Sequence, residues 1–254
     1  MDEQTWLWLT CIIMLLASAV IFTMGKKRTP GEEMQTILHG LVPIVAACSY
    51  FAMATGQGGI HLGAAAPGGR EFLWARYADW TFTTPMLLLA LSGTAMHSGL
   101  RRGGAIYGLI GSDVLMILTA LFFGLSEVAW IKWTWFLVSC LAFLGVYYVM
   151  YAQLMEENAR EKPHVQSVYR RDALLLAVVW FLYPIVLALS PDGLGTISAT
   201  AGVALIAILD ITAKVVFGIL STVSDTQLTD EQLQEPGTRD AGRFTTTVRP
   251  VAAE

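Results

Sequence analysis

Apolar and polar positions are unevenly spread along the chain. Seven long apolar runs, roughly 4–24, 33–55, 72–95, 104–124, 129–154, 170–190 and 198–221, are separated by short polar stretches. A helix crossing the hydrocarbon core of a bilayer needs about 20 mostly apolar residues, and each run supplies them. The pattern predicts an all-α membrane protein with seven transmembrane helices occupying residues 1–223. The remainder, 224–254, is rich in Asp, Thr, Gln and Pro and reads as a disordered tail. The stretch Gly56–Arg70, with many Gly and Ala and one Pro, is too polar and irregular to span and reads as a loop. The first run is preceded by the acidic Met1-Asp2-Glu3 and followed by the basic Lys26-Lys27-Arg28, the wrong flanks for a secretory leader. It reads as a first helix.

Composition agrees. Of 254 residues, 55% are hydrophobic and only 14% charged, against about 25% charged in a soluble domain. Mean hydropathy is +0.56. Cys11, Cys48 and Cys140 all fall in apolar runs, which argues against a disulfide framework. A net charge of −4 carries no nucleic-acid signal. The lipid bilayer is the expected partner, in a multi-pass cell-membrane protein.

Loop charges give a direction. With the N-terminus outside, the inner loops and helix ends hold Lys26, Lys27, Arg28, Arg101, Arg102, Arg160, Lys162, Arg170 and Arg171. The outer ones hold only Arg70, Arg76 and Lys132. This asymmetry predicts an outside N-terminus and a cytoplasmic C-terminus.

The informative charges lie inside apolar runs: Asp79, Asp113, Asp210 and Lys214, with Arg76 nearer an end. Each costs roughly 2.5–3.5 kcal/mol at the bilayer centre on insertion scales, so each needs a partner. Asp210 and Lys214 are four apart and share a helix face. They form either a neutralising ion pair kept for packing or a buried amine poised for covalent chemistry. In the third run, Arg76 and Asp79 are three apart, and Asp79 and Thr83 four apart, so each pair can meet on one face. The sixth run carries Trp180, Tyr183 and Pro184, which alone would read as core.

Taken together, the motifs Arg76-Tyr77-Ala78-Asp79-Trp80 with Thr83-Thr84-Pro85, Trp180-x-x-Tyr183-Pro184, and Leu209-Asp210 through Lys214 resemble the microbial (type I) rhodopsins over about residues 4–221. The resemblance implies all-trans retinal on Lys214 as a protonated Schiff base. It further implies Asp79 as counterion and first proton acceptor, Asp210 as second counterion, and Arg76 on their outer side. Thr83 would hydrogen-bond Asp79. Tyr50 and Tyr183 would hydrogen-bond Asp210. Trp80 and Trp180 would sandwich the polyene, with Thr84, Leu87, Met116, Ser139, Tyr183 and Ala213 lining the pocket. Asp113 would pair with Thr84. Phe136 stands where archaeal pumps commonly carry a second pocket Trp, Leu187 where another aromatic is common, and Ala120 where Gly is common beside the ring.

The resemblance further implies a bacterial proton-pump-like member with the signature Asp79, Thr83, Ala90, in which Ala90 replaces the carboxylate that usually returns a proton from the cytoplasm. His39, one turn before Pro43, is expected to compensate. At 1.5 Å per residue it lies roughly 9 Å into its helix and Ala90 roughly 10 Å into its own, on neighbouring helices. An unperturbed His titrates near neutral pH. On the outer side, Asp192 matches one of two release glutamates, and Gly202 stands at the other. The expected function is a light-driven outward proton pump, not an enzyme, assembled as a trimer or pentamer. The alternative is a sensory rhodopsin signalling to a separate transducer.

Overall fold

A computed structural model describes residues 1–63, 69–99 and 101–234. The chain forms seven helical rods. The first four are α1 (Glu3–Met24), α2 (Pro30–Ala54), α3 (Trp74–Ala95) and α4 (Gly103–Leu125). Helix α5 runs over Ala129–Tyr148, through a π-helical turn at Val149–Leu154, and ends in Met155–Asn158. Helix α6 spans Pro163–Leu189. Helix α7 begins as Ala199–Asp210, widens into a π-helical turn at Ile211–Val216, and continues as Phe217–Gln234. Six rods are long and apolar enough to cross a membrane. The other, α3, carries Arg76, Asp79 and several threonines, the polar price of a site built into its face.

Local signals start the helices where the chain needs them. Asp2 caps α1 by accepting from the Thr5 amide at 2.8 Å. Thr29 caps α2 with Pro30 in the first turn, and Ser198 caps α7 through the Ala201 amide at 3.1 Å. Neighbouring rods pack in order from α1 to α5, and α7 closes against α1, α2 and α6. Tyr147, Tyr151 and Tyr169 stitch α5 to α6 by donating to the carbonyls of Ala177, Ala173 and Met150. Large apolar side chains face outward, among them Leu16 and Phe82, each 63% exposed. His39, Asp79, Asp113, Asp210 and Lys214 are buried in the bundle. This inverts the arrangement of a water-soluble domain.

The apolar runs located the helices to within a few residues except where a helix leaves the membrane. Helix α6 starts at Pro163, ahead of the apolar run, because its first turns are polar and helical at once. Helix α7 corrects the expected boundary at 223: residues 224–234 are helical. The rest of the expected tail, 235–254, lies outside the described residues.

The loop after α2 also holds more structure than its composition suggested. Strand β1 (Ile60–Leu62) pairs antiparallel with β2 (Arg70–Phe72), with His61 opposite Glu71. Phe72 is buried and its ring fills the space above Gly124, where an added Cβ would lie 2.2 Å from a ring carbon. Arg70 donates to the Gly124 carbonyl oxygen and pairs with Asp192. The hairpin is thereby fastened across the end of the bundle that holds Arg76.

Candidate functional site

Lys214 sits in the π-helical turn of α7, which carries one extra residue per turn and shifts the side chains on either side of it. Its ammonium meets the carboxylate of Asp79 on α3 and lies 3.2 Å from Oδ1 of Asp210 on its own helix. All three side chains are 1% exposed. The two carboxylates are not equivalent. Asp210 accepts from the Tyr50 hydroxyl at 2.7 Å, the Tyr183 hydroxyl at 2.7 Å and the Trp80 indole at 3.1 Å. Asp79 receives the Lys214 ammonium through Oδ2, while its Oδ1 is buried without a protein partner. The Thr83 hydroxyl donates to the main-chain oxygen of Asp79 at 2.9 Å, so Thr83 secures the backbone of this turn.

Lys214 lies in the wall of a largely apolar cavity among α3, α4, α5, α6 and α7. Its empty space is about 710 Å³, the part at its mouth included. Trp80, Thr84, Leu87, Met116, Phe136, Ser139, Trp180, Tyr183, Leu187 and Ala213 all line it, as does Ala120. Tyr50 and Asp113 do not. Tyr50 reaches the site through Asp210, and Asp113 through Thr84, whose hydroxyl lies 2.7 Å from Asp113 Oδ2. The Thr84 hydroxyl also lies 2.7 Å from the Trp80 carbonyl oxygen. One hydroxyl proton serves one of these acceptors. A protonated Asp113 donating to Thr84, which then donates to Trp80, would satisfy both contacts. Sequence reasoning missed Ile117, Phe123, Cys140, Phe143 and Pro184 in the lining. They are apolar residues on apolar helices, and nothing local separates them from ordinary core.

A largely apolar cavity with a buried amine between two carboxylates in its wall narrows the comparison to proteins with that arrangement. A model of the bacteriorhodopsin-like protein family matches residues 1–228. The chain belongs to this family. It is 37% identical over 225 residues to a bacteriorhodopsin of Haloterrigena sp. (strain arg-4), covering 86% of each chain. It is 34% identical over 235 residues to archaerhodopsin-2 of Halobacterium sp. (strain aus-2), covering 92% of this chain and 89% of that one. Among solved structures, the thermophilic rhodopsin from Rubrobacter xylanophilus superposes with a TM-score of 0.84 at 37% identity, covering 90% of this chain and 98% of that one. The light-driven proton pump rhodopsin of Coccomyxa subellipsoidea gives 0.79 at 32%, covering 87% and 96%.

At the hairpin end of this rhodopsin a cluster is built around Arg76, which is 7% exposed and, among the described residues, has no partner at Nε. Its charge acts on Tyr50 on one side and on Asp192 on the other. Asp192, in the loop after α6, pairs with Arg70, and its main-chain oxygen accepts from Lys132 at 2.8 Å. Burial pushes the Asp192 carboxyl up from its ordinary value, and Arg70, Arg76 and Lys132 oppose that without cancelling it. Gly202 packs beside the same turn, its added Cβ 3.6 Å from that of Ser190.

At the opposite end, the expected pairing of His39 with the space at Ala90 is not what the fold provides. Gln35 fills that role: its amide donates to the Ala90 carbonyl oxygen at 2.9 Å and lies 3.4 Å from the Thr94 hydroxyl. His39, one turn deeper, faces α7 instead. Its ring packs edge-on against Phe217, with centroids 5.6 Å apart, and its Nε2 lies 3.5 Å from Oδ2 of Asp225. Gly218 lies beside His39, and a Cβ added there would meet Ile21 Cδ1 at 3.0 Å before touching His39.

Proposed function

We propose that this rhodopsin is a light-driven outward proton pump of the cell membrane, working through all-trans retinal attached to Lys214. The observation that carries the reading is the Lys214 ammonium held between Asp79 and Asp210 in the wall of an apolar cavity. The residues fit such a group. A covalently held polyene needs an amine, an apolar sleeve and counter-charge, and Lys214, the tryptophans and the two aspartates supply them. The unpartnered Asp79 Oδ1 and Arg76 Nε suit a site completed by water.

When bound, retinal supplies a light-driven isomerisation that changes the orientation and proton affinity of the Lys214 nitrogen. The protein handles the proton. Asp79 Oδ2, closest to that nitrogen, receives it. Asp210 retains its charge because three donors hold it, and a proton there would displace one of them. Arg76 stands beyond the two carboxylates, and its charge disfavours a proton held at the Asp192 cluster, so that a proton reaching it passes on to the outer side. The excess of basic residues in the loops at the other end supports the outward direction.

The chain is a transporter rather than an enzyme, and its signature Asp79, Thr83, Ala90 places proton return elsewhere than on α3. His39 is the residue we assign to it. Illumination of unbuffered cells making the protein with retinal tests the whole reading. A pH drop abolished by a protonophore supports it. No drop, with a photocycle lasting seconds, supports the sensory alternative and rejects the pump.

A further inference from the structure

Asp225 is a buried carboxylate that neither the cavity nor the counterion pair uses. It lies on α7, eleven residues beyond Lys214 and so about 16 Å further along the helix at 1.5 Å per residue. It is 5% exposed, and its Oδ2 has no hydrogen-bond partner. Both ring nitrogens of His39 are likewise buried and unpartnered, and the nearer is 3.5 Å from that Oδ2. An imidazole with both nitrogens buried and unpartnered, facing a buried and unpartnered carboxylate oxygen at this separation, is costly unless the two groups share a proton.

Several elements contribute titratable groups on this side of the bundle. His39 comes from α2. His97, at the end of α3, feels the Asp225 charge, and its Nε2 is buried without a partner. From α6 comes Asp172, which accepts from Ser221 at 3.0 Å and from its neighbour Arg171. Arg171 reaches Ser224, adjacent to Asp225, at 3.0 Å. One turn further along α7, Arg28 binds the Thr226 carbonyl and pairs with Asp230. Asp225 is therefore the carboxylate between this polar mouth and His39. On the Lys214 side of His39 stand Phe217 and the apolar packing around it. Helical side chains lean toward the N-terminus of their own helix, so His39 leans toward the mouth and not toward Lys214.

We propose that Asp225 is the proton-collecting carboxylate of the cytoplasmic half-channel, loading His39. The inference rests on the pump reading. The pair holds one proton in the resting state, between Nε2 of His39 and Oδ2 of Asp225. After the Lys214 nitrogen has released its proton outward, the imidazole gives up this proton toward that nitrogen and becomes neutral. Asp225, left anionic, takes a proton from cytoplasmic water and passes it to Nε2. One proton enters for each that leaves. The uptake route thus runs along α7, the helix carrying Lys214, instead of α3.

The test uses the full chain in lipid nanodiscs. Before retinal is added, histidine-selective ¹⁵N NMR follows the four imidazoles. In Asp225→Asn the ¹⁵N signals of the His39 ring should change at pH 7, with those of His61 on the hairpin unmoved. With retinal bound, flash photolysis follows decay of the deprotonated intermediate over pH 5–9. Asp225→Asn should slow it at least tenfold at pH 8 and make its rate proportional to proton concentration, with azide restoring speed. Asp225→Glu should stay within about threefold of wild type and keep its flat profile, which decides the matter if Asp225→Asn fails to bind retinal. Unchanged His39 signals or a wild-type decay profile in Asp225→Asn, or a proton-proportional decay in Asp225→Glu, overturns the proposal. A wild-type protein that shows no light-driven acidification rejects the pump reading instead.

Discussion

The Tyr50 hydroxyl donates to Oδ2 of Asp210 at 2.7 Å across α2 and α7, and this bond separates the roles of the two carboxylates beside Lys214. With Tyr183 and Trp80 on Oδ1, Asp210 is an anion with its donors already in place. Asp79 has the Lys214 ammonium and an unpartnered Oδ1. Removal of a charge-accepting group at each position should therefore have different results. Asp79→Asn is expected to reduce light-driven acidification at least tenfold while the visible band remains, since the second counterion is intact. Tyr50→Phe should leave pumping detectable but slow formation of the deprotonated intermediate, because Asp210, short of a donor, competes for the proton. Flash photolysis with a pH-indicator dye measures both. Equal acidification by Asp79→Asn and wild type would remove Asp79 from the path.

Attachment to Lys214 has a direct chemical check. Hydride reduction of the illuminated, retinal-loaded protein should fix the label on the peptide containing Lys214 and on no other lysine. Lys214→Arg keeps the positive charge between Asp79 and Asp210 but cannot condense with an aldehyde. It should be made and inserted yet show no visible band on addition of retinal. A labelled peptide from elsewhere in the chain would refute the assignment.

These two sites were legible in the sequence because charge is rare inside apolar runs. Asp79, Asp210 and Lys214 were each readable as oddities from their setting, and Asp210 with Lys214 as a pair from their spacing; that Asp79 joins them was implied by the family resemblance. Other features left no such mark. The π-helical turn around Lys214 arises from packing, and Ile-Thr-Ala-Lys-Val-Val reads as ordinary helix. The paired strands Ile60–Leu62 and Arg70–Phe72 lack the alternation of a half-buried strand pair, being held by Phe72 on Gly124 and by Arg70. Helix α7 extends past the apolar run because Arg28, from the loop before α2, pairs with Asp230 and binds the Thr226 carbonyl. His39 was singled out for proton uptake from its depth in the second run; it is buried, but its direction depended on which helix closes against α2, and that is a tertiary fact.

The hairpin contact gives a stability prediction. A Cβ at Gly124 would lie 2.2 Å from one Phe72 ring carbon and 2.7 Å from another. The ring is fully buried and cannot swing to solvent, so the hairpin must shift. Gly124→Ala should cost about 1–3 kcal/mol, typical of overpacking. Thermal bleaching of the pigment should accelerate, and Phe72→Leu in the same chain should recover part of the loss. Unchanged bleaching in Gly124→Ala would mean that the hairpin is not seated there.

At the other end, Glu161 gives a pH dependence outside the spanning segments. Burial pushes its carboxyl up, but hydrogen bonds from Ser98 and then Arg101 outweigh this and hold it below its ordinary 4.5. Arg101 approaches Oε1 at 2.6 Å and the Ser98 amide the same oxygen at 3.2 Å. A carboxylate with a depressed folded value stabilises the protein above its unfolded value and loses that contribution as pH falls through the folded one. Wild type should thus be more stable than Glu161→Gln at pH 7, with the difference shrinking below about pH 4.5. Bleaching midpoints of both proteins between pH 3 and 7 measure it. A gap that stays constant with pH would show that Glu161 acts through packing alone.

Ala90 offers a final test of where proton return takes place. Gln35 faces it with its amide nitrogen on the Ala90 carbonyl, while its Oε1 is buried without a partner. A protonated carboxyl at position 90 would find an acceptor in that oxygen, so Ala90→Asp places an acid where the fold has already left half of a hydrogen bond. Overpacking of a site only 1% exposed should lower stability by about 1–3 kcal/mol. In the chain with His39 intact, the new acid has little to add. In His39→Gln, whose late intermediate should decay slowly and in proportion to proton concentration, Ala90→Asp should restore a faster decay with a flatter pH profile. Restoration means that the two positions serve one proton-return step by alternative routes. If the double variant decays as slowly as His39→Gln while still binding retinal, a carboxyl at position 90 has no path to Lys214, and the half-channel is confined to the α2–α7 side.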